Sequence, residues 1–304
     1  MTPPARPDRT IAGIVFMCMA GSIFPLMNGF VQVLSASYDS EQIVWARVTG
    51  HFVFMLALFA PRFGVGVLRT SRPALQLGRS LVLLASTLCF FTGVKYLPLA
   101  QATAINFTSP FMVVLLAWPL LGERIGAARL LAVAIGFVGV LVVVRPGTQL
   151  FHWASLLIIG SSFFYAVYQI FTRRVGSSDR PETSAIYSAM VGTVLMLPLL
   201  PFIWRTPASL TDALLLCSLG VIGGVGHYLV AKALVSAPAS VVAPFMYWQM
   251  IGSVVVGYLL SGHVPDAATW VGAGIIIAAG IFVGWIETRR RPVTATPEPP
   301  RSGT

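Results

Sequence analysis

Carboxylates are the scarcest functional groups in this chain. Asp and Glu together number 10 among 304 residues, against 20 Lys and Arg, and charged residues of both signs make up only 10%. A soluble domain of this size cannot cover its surface with so few charges, so a water-facing fold is excluded. Cysteine is rarer still. Cys18, Cys89 and Cys217 are odd in number and lie inside apolar runs, which excludes a disulfide framework or a Cys-x-x-Cys metal motif and leaves packing. There is no nucleotide-binding loop, no Asp-rich prenyl motif and no His-x-x-x-His set, so no cofactor is expected. What fills the chain instead is hydrophobic residue, at 56%, with a mean hydropathy of +0.82. The formal net charge of +10 does not mark a nucleic-acid binder, because the basic residues lie in short loops between apolar runs.

Runs of about 20 apolar residues, the length that crosses a bilayer, recur ten times. They are Ile11–Val33, Glu41–Ala60, Leu75–Leu97, Gln101–Leu121, Arg129–Val144, Trp153–Arg173, Thr183–Trp204, Thr211–Ala233, Ala239–Ser261 and Thr269–Glu287. The first run is too long for a signal-peptide core and reads as an uncleaved helix after a short N-terminal segment, 1–10. Pro198 and Pro201 soften the seventh, and the Pro-, Thr- and Ser-rich tail, 288–304, is expected to be disordered.

An even number of spans puts both termini on one side. With the N-terminus inside, sixteen of the 20 basic residues fall on the inner side, from Arg6 and Arg9 through Arg79, Arg124 and Arg180 to Arg301. Only Lys95, Arg145 and Arg205 fall outside, and Arg47 lies within a span. This bias predicts cytoplasmic termini in a cell inner membrane.

Two hairpins repeat at a spacing of about 140 residues, the kind of internal similarity that marks two-part transporters. Leu97-Pro98-Leu99-Ala100 leads into a helix that ends at Gly122-Glu123, and Ala237-Pro238-Ala239-Ser240 into one that ends at Gly262-His263. Laying Gly122 on Gly262 also lays Pro98 on Pro238. The expectation is an all-α integral membrane protein of ten transmembrane helices, arranged as two five-helix repeats over 11–146 and 153–287. Five is odd, so the second repeat must run inverted.

On these residues the chain resembles the drug/metabolite transporter superfamily, specifically its EamA-type ten-helix members. The resemblance rests on Lys95-Tyr96-Leu97-Pro98-Leu99-Ala100-Gln101-Ala102, Ser109-Pro110, Leu120-Leu121-Gly122-Glu123-Arg124, Gly136, Gly139, Val144-Arg145-Pro146 and Trp45-Ala46-Arg47. It departs from that pattern where His263 replaces an acidic residue and where Met250, the match of Pro110, is not proline. The resemblance implies a secondary transporter, not an enzyme, that exports a small organic metabolite.

Arg47 reads as the only charged side chain well inside a span, roughly 9 Å deep at 1.5 Å per residue. An intramembrane charge marks either a substrate pathway or a helix-pairing site, with Glu41 or backbone carbonyls as partner. No Asp or Glu lies within a span, so the imidazoles His51 and His227 are the candidates for proton coupling. Polar groups near mid-depth complete the candidate binding set: Asn28 after Pro25, Asn106 and Ser109 before Pro110, Tyr165 and Gln169, and Tyr247, Trp248 and Gln249. A guanidinium suits a carboxylate and aromatic rings suit an organic body or an ammonium. An amino-acid-like zwitterion therefore leads, including opine-type metallophores; import of a vitamin or nucleoside, or drug efflux, is the alternative. The expected partners are the substrate and the bilayer, with a homodimer left open. The rival class is an intramembrane serine hydrolase using Gly160-Ser161-Ser162-Phe163 with His227 as base.

Overall fold

The computed structural model describes residues 7–121, 126–175, 179–236 and 242–289. The Gly122-Glu123 and Ala237–Ser240 ends of the two expected hairpins, and most of the tail, lie outside the described residues. Among the described residues there is no strand, nine helices are long and apolar enough to cross a membrane, and Phe245–Ser261 is a shorter apolar helix. The protein is a multi-pass helical membrane protein.

The helices are α1 (Pro7–Leu34), α2 (Ser40–Phe63), α3 (Pro73–Val94), α4 (Leu99–Asn106), α5 (Ser109–Leu121), α6 (Ala127–Val144), α7 (Ala154–Val175), α8 (Pro181–Met196), α9 (Leu200–Ile203), α10 (Leu210–Ser236), α11 (Trp248–Ser261) and α12 (Ala267–Arg289). Their ends gather at two faces. The face carrying the termini is called the terminal face, and the other the far face.

Proline decides where the spans depart from continuous helices. The fourth span, expected unbroken over Gln101–Leu121, is two helices that meet at Phe107 and Thr108. Pro110 has no N–H to give the carbonyl of Asn106 four residues earlier, and the Ser162 hydroxyl donates to that carbonyl instead, at 3.3 Å. Pro198 and Pro201 divide the seventh span into α8, a 3₁₀ turn over Leu197–Leu199 and α9, and the span containing Pro244 opens as a 3₁₀ turn over Ala243–Tyr247.

Helix pairing places the site. α1 packs on α10 and α11, α2 on α8 and α10, α3 on α7 and α8, α7 also on α4 and α5, and α6 on α12. The helices cross where glycines remove side chains. Gly50 of α2 meets Gly220 of α10 backbone to backbone, and Gly139 of α6 meets Gly272 of α12. Such contacts suit a bilayer, where close van der Waals approach holds helices together.

Both faces are fastened by polar contacts between loops. On the terminal face Asp179 accepts from the Thr70 hydroxyl, the Ser71 amide and hydroxyl at 3.1 and 3.0 Å, and Gln76 at 2.9 Å. On the far face Tyr38 donates to Asp212 at 2.7 Å, and Gln42 exchanges two hydrogen bonds with the backbone of Arg205 at 2.7 and 2.9 Å.

Candidate functional site

On α2 the residues Ile43, Arg47, His51, Met55 and Phe59 are all buried and recur every four positions, so a polar pair sits within an otherwise apolar stripe. Arg47 is 6% exposed. Its guanidinium donates to Thr87 of α3 at 3.3 Å and approaches His227 Nε2 of α10 at 3.1 Å, and it lies 5.6 Å from the Phe91 ring centroid. The Arg47 Nε has no partner. Glu41, the partner considered from the sequence, is exposed and does not bond it. His51 stacks on His227 with centroids 5.9 Å apart, and its own buried Nε2 is unpartnered. Phe24 of α1 meets the His227 ring edge-on at 5.3 Å.

The reading of Arg47 as the only deep charge is corrected by Arg79, six residues into α3 from the terminal face and only 1% exposed. It bonds Thr172 at 3.2 Å, Ser188 at 2.6 Å and the Ser184 carbonyl, and its guanidinium lies over the Tyr168 ring at 5.1 Å. Tyr168 stacks on Tyr165 at 5.6 Å, and both tyrosines are electrostatic neighbours of Arg47. Two polar clusters therefore sit inside the bundle, one of Arg47 with the two histidines and one of Arg79 with the two tyrosines. Among the described residues, the buried polar groups include these two arginines and no Asp or Glu. The sequence did carry a signal for Arg79: it falls inside the apolar window, on a helix that also carries the polar residues Gln76, Ser80, Ser86 and Thr87, all buried.

The other predicted residues fall into separate groups. Asn106 accepts from Ser162 at 3.1 Å, and Ser109 from Gln169 at 3.2 Å, which joins the broken fourth span to α7. Asn28 is buried on α1. Tyr247 meets Phe107 edge-on at 5.0 Å. Trp248 is 47% exposed and donates its indole N–H to Ser22 of α1, and the backbone of Gln249 packs beside Gly21. So Arg47, His51 and His227 come together and Tyr165 pairs with Tyr168, while Trp248 and Gln249 sit against α1. For the hydrolase alternative, Ser161 is bonded to Ser86 and Ser162 to Asn106, while His227 faces Arg47, so no nucleophile–base pair forms among them.

Outside the spans, two carboxyls are held low. Partial burial opposes ionisation of Asp179, but the hydrogen bonds from Thr70, Gln76 and Ser71 outweigh it and bring the group down to about 2. Asp266, which caps α12 through the Thr269 amide at 3.0 Å, is held at about 2 chiefly by its hydrogen bond from Arg145. A far-face cleft of about 220 Å³ opens beside that pair, lined also by Gln101, Ser261 and His263.

The model of the EamA-like transporter family matches residues 11–145 and 152–285. A riboflavin transporter of Rhizobium johnstonii is 31% identical over 94% of this chain and 95% of its own length. An S-adenosylmethionine uptake transporter of Rickettsia prowazekii is 29% identical over 92% and 93%, and a pseudopaline exporter of Pseudomonas aeruginosa 28% identical over 90% and 96%. A crystal structure at 16% identity aligns over 94% of this chain and all of its own, with a TM-score of 0.65, and so shares the fold.

Proposed function

The chain belongs to the EamA-like transporter family, and from that premise we propose that it carries a flat, acceptor-rich metabolite of the riboflavin class on Arg47. That it is a small-metabolite transporter, and not an enzyme, follows from the family and from its named relatives. The observation that carries the substrate reading is a buried guanidinium with an unpaired Nε and, among the described buried residues, no carboxylate to compensate it. An uncompensated charge of this kind is costly in a bilayer unless a ligand's oxygen or nitrogen acceptors take up its donors. The fork of N–H groups fits two adjacent acceptors on one planar edge, such as a flavin's carbonyl and ring nitrogen. Phe91 beside Arg47 offers an aromatic neighbour for the ring system. A cationic cargo is disfavoured, because both arginines already lie over aromatic faces and repel it.

A second reading, export of an amino-acid-derived carboxylate, is favoured by the same fork, which fits a carboxylate equally well, and by the pseudopaline exporter among the relatives.

The protein is read as a bacterial inner-membrane transporter with cytoplasmic termini. With Arg79 now placed inside the bundle, fifteen basic residues against three still support that orientation. The inverted repeat is supported by the pairing of helices. Adding five to each span number turns the α1–α10 contact into the α7–α3 contact, and the α2–α10 contact into the α8–α3 contact.

The test is expression in a bacterium that can neither make nor import riboflavin. Growth on low external riboflavin, lost in Arg47→Lys at equal membrane abundance, is the expected result. No growth with the protein present in the membrane refutes the riboflavin reading. Accumulation of an amino-acid-derived acid in a strain deleted for the gene would establish the second.

A further inference from the structure

Arginine can only donate, so the 3.1 Å contact between the Arg47 Nη2 and His227 Nε2 fixes the imidazole. Nε2 accepts, and the ring hydrogen must sit on Nδ1. A proton on Nε2 would set N–H against N–H and bring two positive charges together, with no carboxylate among the described buried residues to compensate. This contact therefore holds His227 neutral.

The Nε and Nη2 hydrogens of a guanidinium lie along one edge, the edge used for bidentate recognition. In Arg47, Nε is unpartnered and Nη2 holds His227, while the other terminal nitrogen is tied to Thr87. Gly223 of α10 lies against this edge. A methyl there would lie 3.4 Å from Nε and 3.8 Å from Nη2. Two planar acceptors of a substrate that bonds to that edge would take Nη2 from His227.

We propose that His227, with His51 stacked on it, is the proton-binding group of the transport cycle, loaded only when substrate has drawn the Arg47 fork away. This rests on the reading of Arg47 as the substrate's anchor. As the fork turns to the substrate, the Nε2 lone pair is exposed and a proton from the entry side bonds to it. On the other side the substrate leaves, the proton returns to water, and Arg47 closes on Nε2 again. Substrate and proton then cross together, one for one. Reciprocity follows: substrate favours protonation of His227, and acid tightens substrate binding. The charged and titratable groups around His227 are Arg47 and His51 from α2, Arg79 from α3, and Tyr165 and Tyr168 from α7, by way of Arg47; α1 presents only Phe24. None is a carboxylate, so the imidazoles are the groups of this cluster able to take a proton near neutral pH. His51, whose Nε2 is unpartnered, adds a second ring nitrogen beside the first.

Two measurements decide it. The first needs no substrate: imidazole ¹⁵N NMR of the full chain in detergent micelles, with resonances assigned through His51→Gln and His227→Gln. In the wild type His227 should show the Nδ1–H tautomer and stay neutral on mild acidification. In Arg47→Gln it should take up a proton at a higher pH than in the wild type. An Nε2–H tautomer in the wild type, or the same titration with and without Arg47, overturns the proposal. The second uses radiolabelled riboflavin in proteoliposomes with the membrane potential clamped at zero. One proton per substrate predicts about tenfold accumulation for each unit of pH difference. His227→Gln, which keeps an acceptor for Arg47, should lose the accumulation driven by the pH difference. Wild-type flux indifferent to the gradient, or accumulation surviving in His227→Gln, refutes the coupling. Absence of any riboflavin flux counts against riboflavin as cargo, and the NMR result alone then decides the proton site.

Discussion

Gly220 and Gly223 are one turn apart on α10, yet alanine at each should do opposite things. A Cβ added at Gly220 would lie 2.3 Å from the Gly50 carbonyl carbon, 2.4 Å from its Cα and 2.5 Å from the His51 nitrogen. All three are backbone atoms, so no rotamer change relieves the clash. The nearest falls roughly 1 Å short of ordinary van der Waals contact at about 3.5 Å, and α2 and α10 must part by about that much. Overpacking of this kind costs about 1–3 kcal/mol, against which alanine returns about 1 kcal/mol of helix propensity. The same separation would stretch the 3.1 Å contact between Arg47 and His227 beyond hydrogen-bonding length, since each lies within two turns of the crossing. Gly223→Ala, by contrast, has as its nearest neighbours the Met27 sulfur at 3.3 Å and the Arg47 guanidinium, both on side chains that can shift. It should keep or raise thermal stability while placing a methyl where the substrate's acceptor edge would sit. Thermal unfolding in detergent and proteoliposome flux, measured on both variants, separate the two effects. Gly220→Ala with unchanged melting temperature, or Gly223→Ala with unchanged flux, would refute the reasoning.

Arg47→Lys should fold to wild-type abundance yet lose most transport, because a lysine cannot hold a planar acceptor pair; equal flux at equal abundance would remove Arg47 from the site. Arg79→Gln should destabilise the bundle by about 2–4 kcal/mol, since three acceptors on α7 and α8 lose a charged donor; a melting curve that superimposes on the wild type would contradict this. The carboxyl of Asp179 is depressed to about 2 in the folded protein. Its contribution should be fully present above the unfolded value of about 4 and lost as pH falls through the folded one. Asp179→Asn should therefore flatten the acid limb of a stability–pH curve, and an unchanged limb would show that the loop contact carries no weight. Trp248→Ala should lower flux far less than Arg47→Lys, because its indole is half-exposed and bonds only Ser22.

The spans were legible because length and apolarity decide them, and the described helix ends fall within a few residues of the expected ones. The break at Phe107 was half-legible. Pro110 announced a freed carbonyl at Asn106, but which group would take it depended on α7 lying alongside, and Ser162 is 56 residues away in sequence. Arg47 and the two histidines could be named one at a time from their depth. Their meeting could not, because it needs α2 and α10 to touch at Gly50 and Gly220, and glycines in membrane helices do not declare their partners. Arg79 was counted with the loop charges, since five residues into an apolar run a long side chain can usually snorkel to the interface. Here it turns inward to Thr172 and Ser188.

The crossing of Gly50 on Gly220 makes α2 a lever. Its 24 residues are about 36 Å long, with the pivot roughly 15 Å from the Ser40 end and 20 Å from the Phe63 end. A tilt of about 10° about that point swings the two ends in opposite directions by roughly 3 Å each, from the rise per residue. That distance parts a hydrogen bond. One end is held through Gln42 and Arg205, and the other continues into the turn whose Leu68 carbonyl accepts from Tyr187. A see-saw held at both ends rocks only by releasing a fastening, and the end that lifts away opens its own face while the opposite end is driven shut. A single backbone contact between two glycines would thus keep the two mouths of the pathway out of phase.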